Sequence, residues 1–318
     1  MSGVFSHLAR PAILAAGRSL RLRNTAERLP VTRRVVDRFV PGEAIADVLK
    51  AVDALRSSER FVSVDYLGED VTDPASADAT VAAYLDLLDN ITPTTGYGPL
   101  PFEVSLKLSA LGQSLPRHGE KIAYENAHAI CSRAREVRTW VTIDAEDHTT
   151  TDSTLAIVRA LREDFPWLGT VLQAYLKRTD TDCREFAASG ARIRLCKGAY
   201  DEPASVAYRD RNEVTASYLR CLRILMEGNG YPMVASHDPQ VIAAVPDLAR
   251  ETGRGTDHFE YQMLYGIRDA EQKRLTADGN HVRVYVPFGT QWYGYFVRRL
   301  AERPANLGFF LRALTERT

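Results

Sequence analysis

Two adjacent arginines, Arg298 and Arg299, stand out in the segment YFVRRLAER at residues 295–303. If the segment is helical, Glu302 lies one turn away and can form an ion pair with either arginine. A pair of guanidinium groups is suited to bind a carboxylate through bidentate hydrogen bonds. An exposed helix with ordinary surface ion pairs has the same pattern, so this segment alone leaves both interpretations open. An aromatic cluster lies beside the arginines: Trp292, Tyr293, Tyr295 and Phe296.

A second segment whose residues could bind a ligand is RIRLCKGAY at residues 192–200. The side chains of Arg194, Leu195, Cys196 and Lys197 alternate as on a strand. Gly198 with Ala199 then lets the backbone approach a ligand closely with its amide groups available. Positively charged side chains beside such amides favour the binding of an anion. The phosphate of a cofactor is the natural candidate.

Polar and mostly ionisable residues recur at the ends of the predicted strands. Lys107 has apolar neighbours in SLKLS, so it either meets an anion or has a shifted pKa. Asp65 could instead be structural, and His237 in ASHDP is either a donor in the anion site or a structural histidine. Because buried charges require partners, the recurrence predicts a functional site at this level. The set comprises Asp65, Lys107, Asp144 with Glu146, Gln173, Arg194 with Lys197, His237, Glu260 with Gln262, and Tyr285.

The elements that carry these residues alternate between short β-branched strands and amphipathic helices. Predicted strands cover residues 61–67, 102–108, 140–144, 170–176, 192–197, 231–236, 258–263 and 281–286. Predicted helices lie near 75–89, 119–138, 152–164, 180–188, 211–227, 238–250, 267–274 and 291–302. This alternation predicts an α/β protein with a closed, TIM-like (β/α)8 barrel. No GxGxxG motif follows the first strand, which argues against a dinucleotide-binding fold.

The barrel is predicted to span residues 59–318, with its functional groups at the C-terminal ends of the strands. Residues 1–58 lack strand patterns and are predicted to form extra N-terminal helices packed on the barrel. The helix after the eighth strand would bring Arg298 and Arg299 over the barrel mouth, opposite Lys107. Three cations around one space suit a substrate carboxylate, and the aromatic cluster could cover its apolar body.

The composition argues against several classes of protein. A net charge of −1 gives no electrostatic reason to expect nucleic acid or an anionic membrane as a partner. Every apolar run is broken by charge before the ~18–20 residues of a membrane span, and Pro11 interrupts an N-terminal stretch that resembles a signal sequence. The four cysteines form no CxxC pair, which favours free thiols in a reducing cytoplasm. The histidines lack HxH, HxxxH and HExxH spacings, so no metal site is predicted.

Eight segments, in their order along the chain, resemble the signature segments of the proline dehydrogenase family. They are FVSVDYLGE, SLKLSAL, TIDAED, LQAYLKR, RIRLCKGAYDE, ASHD, RVYVPFGT and YFVRRLAERPAN. The resemblance implies a barrel enzyme that uses FAD to oxidise L-proline to Δ1-pyrroline-5-carboxylate. Hydride would pass from proline C5 to flavin N5, with positioning of the two rings as the main contribution of the protein.

The resemblance also assigns roles to individual residues. Asp144 and Arg194 would be the catalytic pair, and Glu302 would orient an arginine. The substrate carboxylate and ring would be held by Lys107, Arg298, Arg299, Tyr285 and Leu264. FAD would contact Gln173, Arg194, Lys197, Gly198, Ala199, Ser236 and His237, with Ala145 beside the isoalloxazine.

Three positions depart from the family pattern. Family members often carry threonine in place of Ser236, a larger residue in place of Ala145 and a histidine in place of Gln291. Because these are cofactor-contact positions, FAD affinity or flavin potential could differ in this chain.

The resemblance further implies a membrane quinone as electron acceptor and a separate pyrroline-5-carboxylate dehydrogenase that takes the product. The protein would be cytoplasmic, with any membrane contact peripheral at the inner face. A Schiff-base aldolase on the same barrel would instead use Lys197 or Lys107 as nucleophile and contain no flavin. A non-catalytic binding barrel would bind FAD without being reduced by proline.

Overall fold

The fold is a closed barrel of parallel strands with helices in the connections. The computed structural model describes residues 36–91 and 102–302, with the side chains of residues 298–302 excepted. Neighbouring strands pair in sequence order, and β8 pairs with β1 to close the barrel. The strands are β1 (Phe61–Tyr66), β2 (Phe102–Leu106), β3 (Trp140–Ile143), β4 (Gly169–Gln173), β5 (Arg192–Cys196), β6 (Tyr231–Ala235), β7 (Glu260–Leu264) and β8 (Val282–Phe288). The predicted (β/α)8 architecture is therefore confirmed.

Each strand is followed by a helix, as the alternation in the sequence predicts. The helices are α1 (Ile45–Arg56), α2 (Pro74–Asp89), α3 (Gly119–Glu136), α4 (Thr151–Asp164), α5 (Thr179–Ala188), α6 (Arg211–Glu227), α7 (Pro239–Thr252), α8 (Asp269–Ala277) and α9 (Trp292–Glu302). Short 3-10 helices at Leu108–Leu111 and His148–Thr150 follow β2 and β3. Within the described ranges, no helix has both the length and the apolar character needed to cross a membrane.

Each strand differs from its predicted bounds by one to three residues at one end or both, and β7 and β4 show why. β7 begins at Glu260, because the amide of His258 is used in a turn with the carbonyl oxygen of Gly255, at 3.0 Å. β4 ends at Gln173, whose carbonyl oxygen accepts the amide of Leu176 at 3.0 Å and so turns the chain out of the sheet. Both differences come from local turns that interrupt an apolar pattern.

The main hydrophobic core lies between the strands and the surrounding helices. Outward-facing strand residues such as Val62 and Val282 are fully buried there. Helix α1 places Val48 and Val52 in the same core and packs against β1 and β8. Residues 1–35 lie outside the described residues, so the predicted helical segment 1–58 stays a prediction apart from α1.

The interior of the barrel is polar. Barrels of this class usually fill it with branched aliphatic side chains, and inward and outward positions alternate along each strand. In this chain the inward positions carry two layers of charged groups. The lower layer, near the N-terminal ends of the strands, contains Glu103, Arg192, Glu260 and Arg283. The upper layer, near their C-terminal ends, contains Asp65, Lys107, Asp144 and Arg194.

Candidate active site

Lys107 lies at the C-terminal end of β2 and is paired with carboxylates of the protein itself. Its Nζ is 2.6 Å from Asp65 Oδ2 and 3.6 Å from Asp144 Oδ2, and it donates to the Tyr285 hydroxyl at 3.3 Å. Burial would lower the pKa of Lys107, but the charges of Asp65 and Asp144 outweigh it and raise this pKa above its usual value. The predicted anion therefore exists, and the lysine stays charged.

Asp144 and Arg194, the expected catalytic pair, are in direct contact. Arg194 Nη1 is 2.7 Å from Asp144 Oδ1, which also accepts from the Ser105 hydroxyl at 2.8 Å. The Tyr285 hydroxyl donates to Asp144 Oδ2 at 2.8 Å. Burial, and then the charge of Asp144, raises the pKa of Tyr285 well above its usual value, so its hydroxyl remains a donor.

Arg194 connects the upper layer to the strands around it. Besides Asp144, its guanidinium donates to Ser105 Oγ at 2.7 Å, to Gln262 Oε1 at 2.6 Å and to Ser63 Oγ at 3.1 Å, and it is also paired with Glu103. Its centre lies 5.3 Å from the ring of Tyr285. A guanidinium fixed in this way cannot change its orientation without breaking several bonds, so Asp144 is held rigidly.

Glu260 does not belong to the strand-end group in which the sequence analysis put it. Because β7 begins at Glu260, its carboxylate lies in the lower layer, 2.6 Å from Arg283 Nε. Glu103 in the same layer is paired with Arg192 at 2.8 Å. Burial raises the pKa of Glu103, but the neighbouring arginines outweigh it, so the pKa lies below its usual range. Sequence reasoning missed Glu103, Arg192 and Arg283, although charges at every second strand position were the available signal.

One cavity of about 1030 Å³ opens at the C-terminal ends of the strands. It brings together predicted site residues from loops far apart in sequence. These are Lys107, Asp144, Ala145, Gln173, Arg194, Lys197, Gly198, Ala199, Ser236, His237, Leu264 and Tyr285. Their location is thereby established, whereas their individual roles stay predictions.

The backbone at Gly198 has a conformation and an environment that favour glycine. Its φ is +112°, and a Cβ atom there would lie 2.4 Å from the ring of Tyr175. Lys197 is held beside it, because its Nζ donates to Asp238 Oδ2 at 2.5 Å and to Thr215 Oγ1 at 2.7 Å. The segment therefore lines the cavity with closely packed backbone and an ion-paired lysine.

Ser236 and His237 are both hydrogen-bonded to the main chain around the cavity. The Ser236 hydroxyl accepts from the amide of Asp238 at 3.1 Å, and His237 Nε2 accepts from the amide of Leu264 at 2.9 Å. The latter bond requires the tautomer that carries its proton on Nδ1. His237 thus has the structural role that the sequence left open, and it also lines the cavity.

Gln173 provides a test of whether a ligand rich in donors fits the cavity. Its side chain is 5% exposed, and its Oε1 has no hydrogen-bond partner among the described residues. An unpaired buried acceptor costs about 1–3 kcal/mol. A donor group on a bound molecule would remove that cost, so the residues present fit a flavin.

The segment of Arg298, Arg299 and Glu302 is helical, as predicted, because α9 spans Trp292–Glu302. The side chains of these three residues lie outside the described ones. The aromatic cluster packs against the protein itself, and its role as a cover over a ligand stays a prediction. Trp292, Tyr293, Tyr295 and Phe296 pack in a second hydrophobic cluster with Val36, Phe39, Val40 and Leu67, although Tyr295 also lines the cavity. These contacts anchor α9 next to the cavity.

The carboxyl group of Glu146 is hydrogen-bonded to the 3-10 helix after β2. It accepts from the amide of Ser109 at 3.1 Å and also bonds to the Ser109 hydroxyl. Ser109 in turn accepts from the amides of Asp70 and Val71. Burial raises the pKa of Glu146 to about 7 despite the bonds from Ser109. The carboxyl group is therefore neutral in the folded protein at weakly acidic pH.

Replacing Glu146 with glutamine should change how stability depends on pH. In the wild type, Glu146 keeps its proton in the folded state from pH 4.5, the usual pKa of a glutamate side chain, up to a pKa of about 7, while the unfolded chain loses it. The contribution of this group to the free energy of unfolding therefore falls as pH rises through that window. The free energy of unfolding of Glu146→Gln, measured relative to that of the wild type, should therefore rise by about 2–3 kcal/mol as the pH is raised from 5 to 8.

Urea denaturation of both proteins at several pH values between 5 and 8 measures this difference. Glu163→Gln is the matched control, because Glu163 is exposed on α4. A difference between Glu146→Gln and wild type that stays constant with pH would contradict the raised pKa.

Among the described residues, no group of three or more His, Cys, Asp or Glu side chains is arranged to hold a metal ion.

The sequence matches a family of known proteins. The family model described as "Proline dehydrogenase" matches residues 48–312. The curated "Proline dehydrogenase" of Deinococcus radiodurans is 39% identical over 282 residues, which are 88% of this chain and 90% of that one. "Proline dehydrogenase 1" of Bacillus subtilis is 37% identical over 286 residues, covering 90% of this chain and 92% of that protein.

The fold also matches a solved structure. The crystal structure of proline utilization A (PutA) from Bdellovibrio bacteriovorus, inactivated by N-propargylglycine, superimposes with a TM-score of 0.78 at 25% identity. The match covers 85% of this chain and 33% of that one, so this chain spans about a third of its length.

Proposed function

The chain belongs to the proline dehydrogenase family, and from this premise we propose that it oxidises L-proline to Δ1-pyrroline-5-carboxylate with a bound FAD. The observation that supports this most is the cavity in which residues from the strand ends meet. It combines the ion-paired Lys107, a rigid Asp144–Arg194 pair and a glycine-containing loop at Gly198.

The substrate end of the cavity would lie at Lys107 and Tyr285. Lys107, Arg298 and Arg299 would hold the substrate carboxylate, with Glu302 orienting an arginine. Leu264 and Tyr285 would pack on the pyrrolidine ring and exclude water from it. Because Asp65 and Asp144 already neutralise much of the Lys107 charge, the two arginines would supply most of the positive charge that a carboxylate requires.

The remainder of the cavity would hold the cofactor. A bound flavin supplies the two-electron acceptor for the hydride that leaves proline C5. The residues that would hold it are Gln173, Arg194, Lys197, Gly198, Ala199, Ser236 and His237, with Ala145 beside its ring system. Gln173 would accept a hydrogen bond through its unpaired Oε1, and the positive charges of Arg194 and Lys197 would stabilise negative charge on the ligand.

Asp144 would act on the substrate in a fixed, ionic environment. Hydride loss from C5 leaves a C=N bond, so the ring nitrogen must first lose its extra proton and present its lone pair. Asp144 accepts three hydrogen bonds from Arg194, Ser105 and Tyr285. A carboxylate has about four acceptor positions. Asp144 can therefore orient one N–H of the substrate through its remaining acceptor position.

The aldolase alternative requires a neutral lysine as nucleophile. Both candidates are ion-paired, Lys107 with Asp65 and Lys197 with Asp238. The raised pKa of Lys107 keeps its ammonium protonated at neutral pH. This environment favours the flavin enzyme over an aldolase.

The visible spectrum of the purified protein tests the proposal. A flavin band near ~450 nm should be present, and anaerobic L-proline should bleach it. Pyrrolidine, which lacks the carboxylate, is the control and should bleach the band far more slowly. A band that L-proline leaves unchanged would contradict the substrate and would fit the non-catalytic barrel. A colourless protein that FAD cannot reconstitute would contradict the cofactor and favour the aldolase.

The same family premise leads to proposals for the partners. Electrons would pass to a membrane quinone, and a separate pyrroline-5-carboxylate dehydrogenase would take the product. The protein would be cytoplasmic with peripheral contact at the inner face of the membrane. Anaerobic reoxidation of the proline-reduced protein by a short-chain quinone tests the acceptor, and no reoxidation would contradict it.

A further inference from the structure

The connection between β5 and α6 forms a large part of the cavity wall. Residues 197–202 and 207–212 line the cavity. The connection is hydrogen-bonded to the loop after β4 along both backbones. The amide of Lys177 donates to Val206 O at 2.9 Å, and the amide of Tyr208 donates to Tyr175 O at 2.8 Å. The wall is therefore built from two loops that hold each other.

Glu202 adds a third loop to this wall. Its side chain is 4% exposed, and Oε1 accepts from the amide of His148 at 3.0 Å and from the Tyr175 hydroxyl at 3.1 Å. Oε2 bonds to His148 Nδ1, and the Glu202 carbonyl oxygen accepts from Arg209 Nη1 at 2.9 Å. His148 belongs to the connection after β3, and Tyr175 to the connection after β4. One carboxylate thus joins the loops after three consecutive strands.

The contact with Tyr175 connects Glu202 to the backbone at Gly198. The Tyr175 ring lies so close to Gly198 that a Cβ atom on this glycine would be 2.4 Å from the ring. The bond from the Tyr175 hydroxyl to Glu202 fixes the far edge of the same ring. Movement of Tyr175 would therefore move the Gly198 backbone that lines the cavity.

A buried carboxylate loses its hydration and is retained at a cost unless its hydrogen bonds are satisfied. Glu202 meets this condition through loop residues, and neither His148 nor Tyr175 belongs to the Lys107 end of the cavity. The site roles assigned above do not use it. The hydrogen bonds of Glu202 hold together the loops that form the cavity wall.

We propose that Glu202 is a positioning residue for the flavin. Its carboxylate holds the loops after β3, β4 and β5 in the arrangement that binds FAD. The proposal rests on the proposed function, in which this cavity binds FAD. In this role Glu202 acts through the positions of its hydrogen bonds to His148 and Tyr175. Glutamine can accept the same two bonds on one oxygen and donate to His148 Nδ1 through its amide, so glutamine should replace Glu202 with little loss.

FAD titration of the full-length apoprotein, followed by flavin fluorescence, tests the proposal. Glu202→Ala should raise the Kd for FAD about 10- to 100-fold, because several hydrogen bonds are lost. Tyr175→Phe removes one of them and should raise it about 3- to 10-fold. Glu202→Gln should stay within about threefold of wild type, and Glu163→Gln on α4 is the exposed control.

The KM for L-proline at saturating FAD separates positioning from general distortion. In Glu202→Ala this KM should change far less than the Kd for FAD. Equal changes in both constants would overturn the proposal, as would Kd values within twofold of wild type in both Glu202→Ala and Tyr175→Phe. If Glu202→Ala does not fold, Tyr175→Phe alone decides. A wild-type apoprotein that binds no FAD would instead contradict the proposed function.

Discussion

Replacing Arg298 or Arg299 with methionine is expected to raise the KM for L-proline by roughly one to three orders of magnitude. In the proposed function, each substitution would remove a charge-assisted, bidentate contact with the substrate carboxylate. Lys107 cannot compensate, because its ammonium is already paired with Asp65 at 2.6 Å and lies 3.6 Å from Asp144. Steady-state kinetics of the flavin-loaded variants measure the effect.

A substrate without a carboxylate makes this test specific. The kcat/KM for pyrrolidine should be nearly the same in wild type, Arg298→Met and Arg299→Met, because no carboxylate contact is lost. Arg250→Met is the matched control, since Arg250 is exposed on α7 and paired with Asp247. Unchanged KM values for L-proline in both variants would refute the assignment of these arginines to the carboxylate.

Replacing Arg194 with methionine should have the largest effect on stability. Arg194 is buried and forms ion pairs with both Glu103 and Asp144. Its removal leaves two buried carboxylates with fewer partners, and breaking buried pairs in this way costs about 3–5 kcal/mol. The free energy of unfolding from urea denaturation should fall by that amount, and the flavin content of the purified protein should fall with it.

Arg192 offers a matched control on the same strand. It is also buried, but its Nε and Nη1 have no hydrogen-bond partner among the described residues, and burial lowers its pKa. It pairs with Glu103 through Nη2 and lies over the ring of Trp140. Arg192→Met should therefore cost less stability than Arg194→Met. An equal or larger loss in Arg192→Met would contradict the central role of Arg194.

The fold was predictable because local patterns encode it. Short β-branched strands alternating with amphipathic helices require parallel pairing, and eight such repeats close into a barrel. Parallel strands bring their C-terminal ends to one face. Lys107, Asp144, Gln173 and Arg194 could therefore be grouped from sequence alone, and the cavity contains all four.

The contacts within this group were not predictable from the sequence. Lys107 and Asp65 are 42 residues apart, and Arg194 and Glu103 are 91 apart. Glu260 was placed at the wrong end of the barrel because a turn before β7 shifts the start of the strand. Pairing of this kind depends on which inward positions reach the same height once the barrel closes.

The sequence by itself determined the order of the strands and helices, the face on which the site residues meet, and the family resemblance. Only the tertiary structure decided that the charge of Lys107 is balanced by the carboxylates of Asp65 and Asp144. The same holds for the hydrogen bond from the Leu264 amide to His237 and for the contacts by which Glu202 joins three loops. The physical reason is that periodicity records the direction of a side chain relative to its own strand or helix. Hydrogen bonds and ion pairs depend on distances between strands and loops, which the register and closure of the barrel set.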